Sequence, residues 1–211
     1  MKELPNPTMP LSLIEIPRGS LHRNNLETQK INSPHQASKE PSSLIIEWAK
    51  HQDEVRQAQQ LRYQVFGIEM GARIKEVIPK HDIDLFDDYC EHLIVRDQSS
   101  RQVIGTYRVL TPVQAKRIGS TYSDLEFDLT RLRAYRDRMV ELGRSCVHPN
   151  YRHGGVIMAL WGALAEFMVR NKLDVMIGCA SIPMLHQGVV SSKVAASIWH
   201  QLKMTHLADI S

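Results

Sequence analysis

Residues 139–168, MVELGRSCVHPNYRHGGVIMALWGALAEFM, join a strand-like apolar run to a helix-like run through a turn that carries Arg152, His153, Gly154 and Gly155. A strand followed by a turn and a helix calls for an α/β layer arrangement. It also builds an anion cradle, because unpaired backbone N–H groups and the positive end of the helix dipole both point out of such a turn. Adjacent glycines let a ligand come close to the backbone. No Gly-Lys-Ser/Thr follows and the G-x-G-x-x-G pattern is absent, so the turn is neither a Walker loop nor a dinucleotide fingerprint. It reads as a cradle for a diphosphate or a phosphopantetheine, with an ordinary strand-to-helix loop as the plain alternative.

The 211 residues suit one domain with a real core. Residues 1–43 are rich in Pro, Ser, Asn and Lys with little periodic apolar content, and read as a flexible leader that cannot offset its ordering entropy. The domain is expected over residues 44–211. The 26 basic and 23 acidic residues nearly balance, which argues against nucleic acid as a partner. The basic residues cluster only at Arg131, Arg133, Arg136 and Arg138. Cys90, Cys146 and Cys179 have no C-x-x-C spacing and fit a reducing compartment, so the cytoplasm is expected. The apolar run at residues 11–16 is too short and broken for a signal peptide, and no stretch reaches the ~20 apolar residues of a membrane span.

From Leu44, LIIEWA reads as a strand, and Val55, Ala58, Leu61, Val65 and Ile68 recur at helical spacing within residues 53–70. HLIV and QVIGTYRVL flank the polar turn DQSSR and read as an antiparallel hairpin, which Pro112 ends. A short helix over residues 113–118 and a second one, capped by Asp128 or Thr130 and running to Arg138, lead into residues 139–168. LDVMIGCASI then reads as a buried strand, and residues 189–204 as an amphipathic helix.

Glu141 and Arg144 interrupt an otherwise apolar strand beside the cradle, which makes Glu141 the best general-base candidate. Residues three apart face opposite sides of a regular strand, so both reach one site only if a bulge intervenes, for instance at Gly143. Asp82, Asp84, Asp87, Asp88 and Glu91 lack the central Gly and terminal Glu of a calcium loop, so no metal is expected. They read as a trap for a cationic substrate or as a solvated loop. Arg62 and Arg108 need partners if turned inward, and these aspartates are candidates. Cys146 has no visible activating His, which disfavours covalent catalysis.

Several blocks in order, LRYQVFGIEMGA, DIDLFDDYCEHLIV, GTYRVL, ELGRSCVHPNYRHGGVIMALWGALAEF and GCASI, resemble the ornithine-acyl carrier protein N-acyltransferases of ornithine-lipid synthesis, within the Gcn5-related N-acetyltransferase (GNAT) superfamily. The resemblance implies a mixed sheet flanked by helices, with the last strands of such a sheet missing from residues 44–211. It implies transfer of a 3-hydroxyacyl chain from acyl carrier protein to the α-amino group of ornithine. No resident cofactor is implied, the donor being the carrier's phosphopantetheine or an acyl-CoA. The implied setting is cytoplasmic, with peripheral contact at the inner membrane face.

The skeleton is also similar to acyl-homoserine-lactone synthases, whose characteristic residues would here be Arg62, Phe66, Asp84, Asp87, Arg108, Glu141 and Arg144. By this likeness Glu141 and Arg144 are catalytic, and Arg62, Phe66, Asp84, Asp87 and Arg108 belong to the substrate side. Val147, Arg152, His153, Gly154, Gly155 and Val156 hold the donor. The block CVHPNYRHGGVI favours an amino-acid acceptor over S-adenosylmethionine. A signal synthase and a non-catalytic carrier-binding module remain the alternatives. Two departures stand out: Ile157 replaces the usual small residue of the turn, and residues 189–204 contain no Tyr to protonate the leaving thiolate. A thiol pKa of ~8.5 makes the thiolate a tolerable leaving group.

Overall fold

The computed structural model describes residues 43–186 and 188–208. The leader expected over residues 1–43 lies outside them, except for Ser43, whose carbonyl accepts from the Gln98 N–H at 2.9 Å. Five strands form one mixed sheet: β1 (Leu44–Trp48), β2 (Glu91–Asp97), β3 (Val103–Leu110), β4 (Met139–Val147) and β5 (Val175–Ile177), in that spatial order. β1 to β4 pair antiparallel, and β5 joins β4 in parallel. The parallel pair needs a crossover, which α4 (Gly155–Arg170) supplies.

Strands β2, β3 and β4 read as near-continuous apolar runs because both faces of the sheet are covered. On one face, Val156, Leu160, Leu164 and Phe167 of α4 pack on Leu93, Val95, Ile104, Val140 and Leu142. On the other, Ala58, Leu61, Val65 and Phe66 pack on Ile94, Val103 and Cys146. Each fully buried Leu, Val or Phe side chain contributes about 1.5–3 kcal/mol relative to exposure. α4 can lie this close because β3 has Gly105 beneath it: a Cβ there would sit 2.5 Å from Val156 Cγ1.

The helix expected over residues 53–70 is wound in two ways. α1 (Gln52–Arg62) is α-helical, started by Glu54, whose carboxylate accepts from the N–H groups of Lys50 and His51. Residues Tyr63–Glu69 continue it as π turns, with the Met70 N–H reaching back to the Val65 carbonyl. The wider turns shift the phase, so Phe66 is buried and Ile68, expected inside, is exposed.

The hairpin forms as expected. α2 (Pro112–Ile118) follows with Pro112 in its first turn and the Thr111 hydroxyl accepting from the Gln114 N–H. After a short α3 (Ser123–Glu126), Thr130–Arg138 is a 3₁₀ segment with no buried residue, where an α-helix was expected. It has no apolar stripe to dock, which removes the packing that sustains a surface α-helix. β5 is three residues long and only half-buried, in place of a longer buried strand. Val189–Val190 pair with Leu185–His186 as β7 and β6, so the last helix, α5, starts later, at Ser192–His206, behind a Ser191 cap.

Candidate functional site

Three arginines and three aspartates interlock beneath the end of the β2–β3–β4 face. Arg62, 1% exposed, donates to Asp82 Oδ2 at 2.9 Å and to both oxygens of Asp87 at 2.9 and 2.8 Å. Arg108 bridges Asp84 (2.5 Å) and Asp87 (3.1 Å). Arg144 reaches Asp84 Oδ2 at 2.9 Å and lies 3.3 Å from Asp82. Burial alone raises the Asp87 carboxyl, but the paired Arg62, with Arg108 behind it, outweighs this and holds it well below the usual carboxylate range. Asp84 is lowered in the same way by Arg108 and then Arg144. The aspartates expected to trap a cationic substrate are therefore neutralised inside the protein. Asp88 and Glu91 stay exposed.

Glu141 sits beside this network, 6% exposed. Its Oε2 accepts from the Tyr122 N–H at 2.7 Å, and its Oε1 from the Ser123 N–H at 2.6 Å and the Ser123 hydroxyl at 2.5 Å. A carboxylate offers about four acceptor positions, so three donors orient it and leave one for a substrate or water. The Cys179 thiol is 3.4 Å from the Ser123 hydroxyl. Glu141 and Arg144 both line one cleft together with Phe86, Cys90, Arg108 and Tyr122.

The expected bulge is present, one residue later than Gly143. Thr106 and Arg108 of β3 oppose Cys146 and Gly143, so Arg144 and Ser145 together face Tyr107. Arg144 takes φ +51, a left-handed conformation that costs a non-glycine residue about 1–3 kcal/mol. That extra residue turns Arg144 to the same side as Glu141. Its guanidinium then lies 5.9 Å above the Tyr122 ring, while Arg108 lies 5.7 Å above Phe86. Burial pushes the Cys90 thiol up to about 12, raises Cys179, and pushes Cys146 up to about 12, so all three stay protonated near neutrality. That is unsuited to a nucleophile.

At the far end of β4 the cradle takes shape. Gly154 has φ +99 and precedes the first turn of α4, with open space where a Cβ would stand on Gly154 or Gly155. The first α4 bond runs from the Met158 N–H to the Gly154 carbonyl, which leaves the N–H groups of Gly155, Val156 and Ile157 at the helix mouth. The Val156 side chain is buried under β3, so only its backbone faces that mouth. His153 is exposed on the approach, 6.4 Å from the Tyr151 ring. The Arg152 guanidinium is already engaged: it grips both oxygens of Glu69 at 2.5 and 2.8 Å and donates to the Val147 carbonyl at 3.0 Å. It braces the turn against the π segment.

The His148 N–H bonds the Ile104 carbonyl, so in antiparallel alternation the neighbouring Val147 N–H turns away from β3. β5 reaches no further than Glu141 on that side. The Val147 N–H thus faces the gap between β4 and the chain beyond β5.

Among the expected residues, Arg62, Asp84, Asp87 and Arg108 come together with Arg144 and Glu141. Arg62 and Phe66 do not line the cleft: both are 1% exposed, Arg62 holding aspartates and Phe66 filling the core under Ile94. A direct substrate contact for these two is corrected to a supporting place. Sequence reasoning missed the donors that orient Glu141, namely Tyr122 and Ser123, which lie eighteen or nineteen positions upstream with no spacing to mark them. Among the described residues no group of three or more His, Cys, Asp or Glu is arranged to hold a metal ion.

Residues 61–162 match the acetyltransferase (GNAT) domain family. The chain is similar to the L-ornithine N(alpha)-acyltransferase of Rhodobacter capsulatus, with 38% identity over 148 residues, 67% of this chain and 57% of that protein. It is 40% identical over 148 residues to the protein of the same name from Brucella abortus, 66% of this chain and 53% of the relative. The chain thus spans about half the length of the curated relatives it matches. Among solved structures, the AHL synthase LasI aligns with a TM-score of 0.49 at 18% identity, covering 65% of this chain and 72% of that one.

Proposed function

We propose that the chain, whose residues 61–162 match the acetyltransferase (GNAT) domain family, is an N-acyltransferase. It moves a 3-hydroxyacyl group from the phosphopantetheine thioester of acyl carrier protein to the α-amino group of ornithine, giving a lyso-ornithine lipid. The observation that carries this reading is Glu141, a buried carboxylate held by three donors with an acceptor position left over, one strand-length from a glycine-lined helix mouth. The names and identities of the curated relatives support ornithine as acceptor.

Ornithine's α-ammonium must lose a proton before it can attack. Glu141 takes that proton, directly or through one water. The amine nitrogen then forms a bond to the thioester carbonyl carbon, whose C=O pair moves onto oxygen; the Val147 N–H, six residues further along β4 and roughly 20 Å from Glu141, meets the pantetheine arm of the donor and not the reacting carbonyl. Collapse breaks the C–S bond; the proton held at Glu141 goes to the departing thiolate, and the second proton, lost from the attacking nitrogen as the amide forms, passes to the freed Glu141 carboxylate and on to solvent. Arg108 and Arg144, which line the cleft, are suited to the acceptor's carboxylate. The N–H groups of Gly155, Val156 and Ile157 receive the pantetheine phosphate, and Arg152 keeps that turn in place. The donor is carried by its protein, so no resident cofactor is required.

Acyl carrier protein, an acidic partner, docks on Arg131 and Arg133, which are exposed on the 3₁₀ segment. Arg136 and Arg138 are otherwise committed, to Asp124 and Asp174. Among the described residues no helix is long and apolar enough to cross a membrane. The product's acyl chain makes a peripheral position at the inner membrane face the natural working place.

Incubation with 3-hydroxyacyl carrier protein and ornithine should release carrier thiol above an enzyme-free control. Release with S-adenosylmethionine in place of ornithine would move the assignment to a signal synthase. Carrier binding with no thiol release from either acceptor would make the chain a binding module.

A further inference from the structure

The groups that grip Glu141 are themselves held by further contacts, and these lead to the surface. Tyr122 and Ser123, the donors to Glu141, belong to a turn that opens at Thr121. Asp124 closes that turn: its Oδ2 accepts from the Thr121 N–H at 2.8 Å and from the Thr121 hydroxyl at 2.7 Å. Arg136 grips Asp124 with two prongs, at 2.7 and 2.5 Å. Arg136 lies in Thr130–Arg138, the same 3₁₀ segment that turns Arg131 and Arg133 outward. One continuous path of bonds therefore runs from Arg136 through Asp124 and the turn to both oxygens of Glu141.

A surface ion pair of this kind, with its side chains 32% and 24% exposed, adds little to stability. Its geometric effect is larger. The backbone of Glu141 is fixed by β4, but its side chain is long, and its three hydrogen-bond donors among the described residues all come from the turn that Asp124 closes. A planar guanidinium gripping both carboxylate oxygens fixes orientation as well as distance, which a lysine cannot do.

We propose that Asp124 and Arg136 are positioning residues for Glu141, setting the angle at which its free acceptor position meets the acceptor amine. This rests on Glu141 being the base. It assigns the 3₁₀ segment two tasks, presenting Arg131 and Arg133 outward and aligning the base inward.

The test is steady-state kinetics with 3-hydroxyacyl carrier protein and ornithine on Asp124→Asn, Arg136→Met, Arg136→Lys and Glu141→Gln, with thermal midpoints measured in parallel. A misplacement of about 1 Å near reacting atoms costs up to roughly a hundredfold in rate. Asp124→Asn and Arg136→Met should lower kcat roughly ten- to a hundredfold and leave the carrier KM within about twofold of wild type. Arg136→Lys, which keeps the charge and loses the fork, should melt as the wild type does and show an intermediate kcat. Wild-type kcat in Asp124→Asn and Arg136→Lys, with turnover lost in Glu141→Gln, overturns the positioning role and leaves the base intact. Wild-type kcat in Glu141→Gln removes the base reading first, and the positioning role with it.

Discussion

Single side chains decide most of what the cleft can do. Removing the carboxylate in Glu141→Gln should lower turnover by roughly 10²–10⁴-fold, the usual contribution of a general base, while carrier KM stays near wild type. Arg62 matters differently, because it is buried against Asp82 and Asp87 and touches no cleft. Arg62→Met takes the most buried cation from Asp82 and Asp87, which keep the longer contacts to Arg144 (3.3 Å) and Arg108 (3.1 Å), and should destabilise the fold by about 3–5 kcal/mol in urea denaturation. Asp84 and Asp87 titrate lower in the folded protein than in the unfolded chain. Their pairing therefore stabilises fully above the unfolded carboxylate pKa of ~3.9, and that stability is lost as pH falls toward the folded values. Thermal midpoints should fall steeply below about pH 4, and Arg62→Met should flatten that acid limb.

At the level of elements, much was legible. The order strand, helix, hairpin, strand, glycine turn, helix follows from apolar runs broken by Pro112 and by Gly154 with Gly155, and each of these forms. The requirement that Glu141 and Arg144 share a site also predicts the bulge, since strand alternation forbids it otherwise. Its location was not legible, because Arg144 and not a glycine takes the left-handed conformation, held there by Asp82 and Asp84. Nor could the sequence assign Arg152: a free phosphate ligand and a brace on Glu69 look alike until the π turns bring Glu69 within reach. Thr130–Arg138 reads as an α-helix in the sequence because capping residues are visible there, whereas its lack of a docking face shows only in the fold, where it is a 3₁₀ segment. Gly105 tests how closely α4 must lie on β3. A Cβ there meets Val156, so Gly105→Ala should cost about 1–3 kcal/mol in denaturation and raise carrier KM by displacing the helix mouth.

Across the whole molecule, the sheet separates two jobs. One end of β4 carries Glu141 and the cleft, the other runs into the helix mouth, and the gap beyond β5 leaves the Val147 N–H open beside that mouth. A thioester laid along β4 would have its phosphate at α4 and its carbonyl near Glu141. Arg131 and Arg133 are exposed, and the carrier docking proposed for them is electrostatic, so Arg131→Glu with Arg133→Glu should raise carrier KM severalfold at low salt. The difference should shrink as ionic strength approaches 1 M, where the screening length is about 3 Å. The most direct measurement is mass spectrometry of lipids from a bacterial host that makes no ornithine lipid, expressing either the wild-type chain or Glu141→Gln. A new lipid with ornithine amide-linked to a 3-hydroxyacyl chain in the wild type, absent with Glu141→Gln, is the expected result. A wild-type lipid profile identical to the empty host, from folded protein, or the same new lipid in equal amount from Glu141→Gln, would contradict acyl transfer at this site.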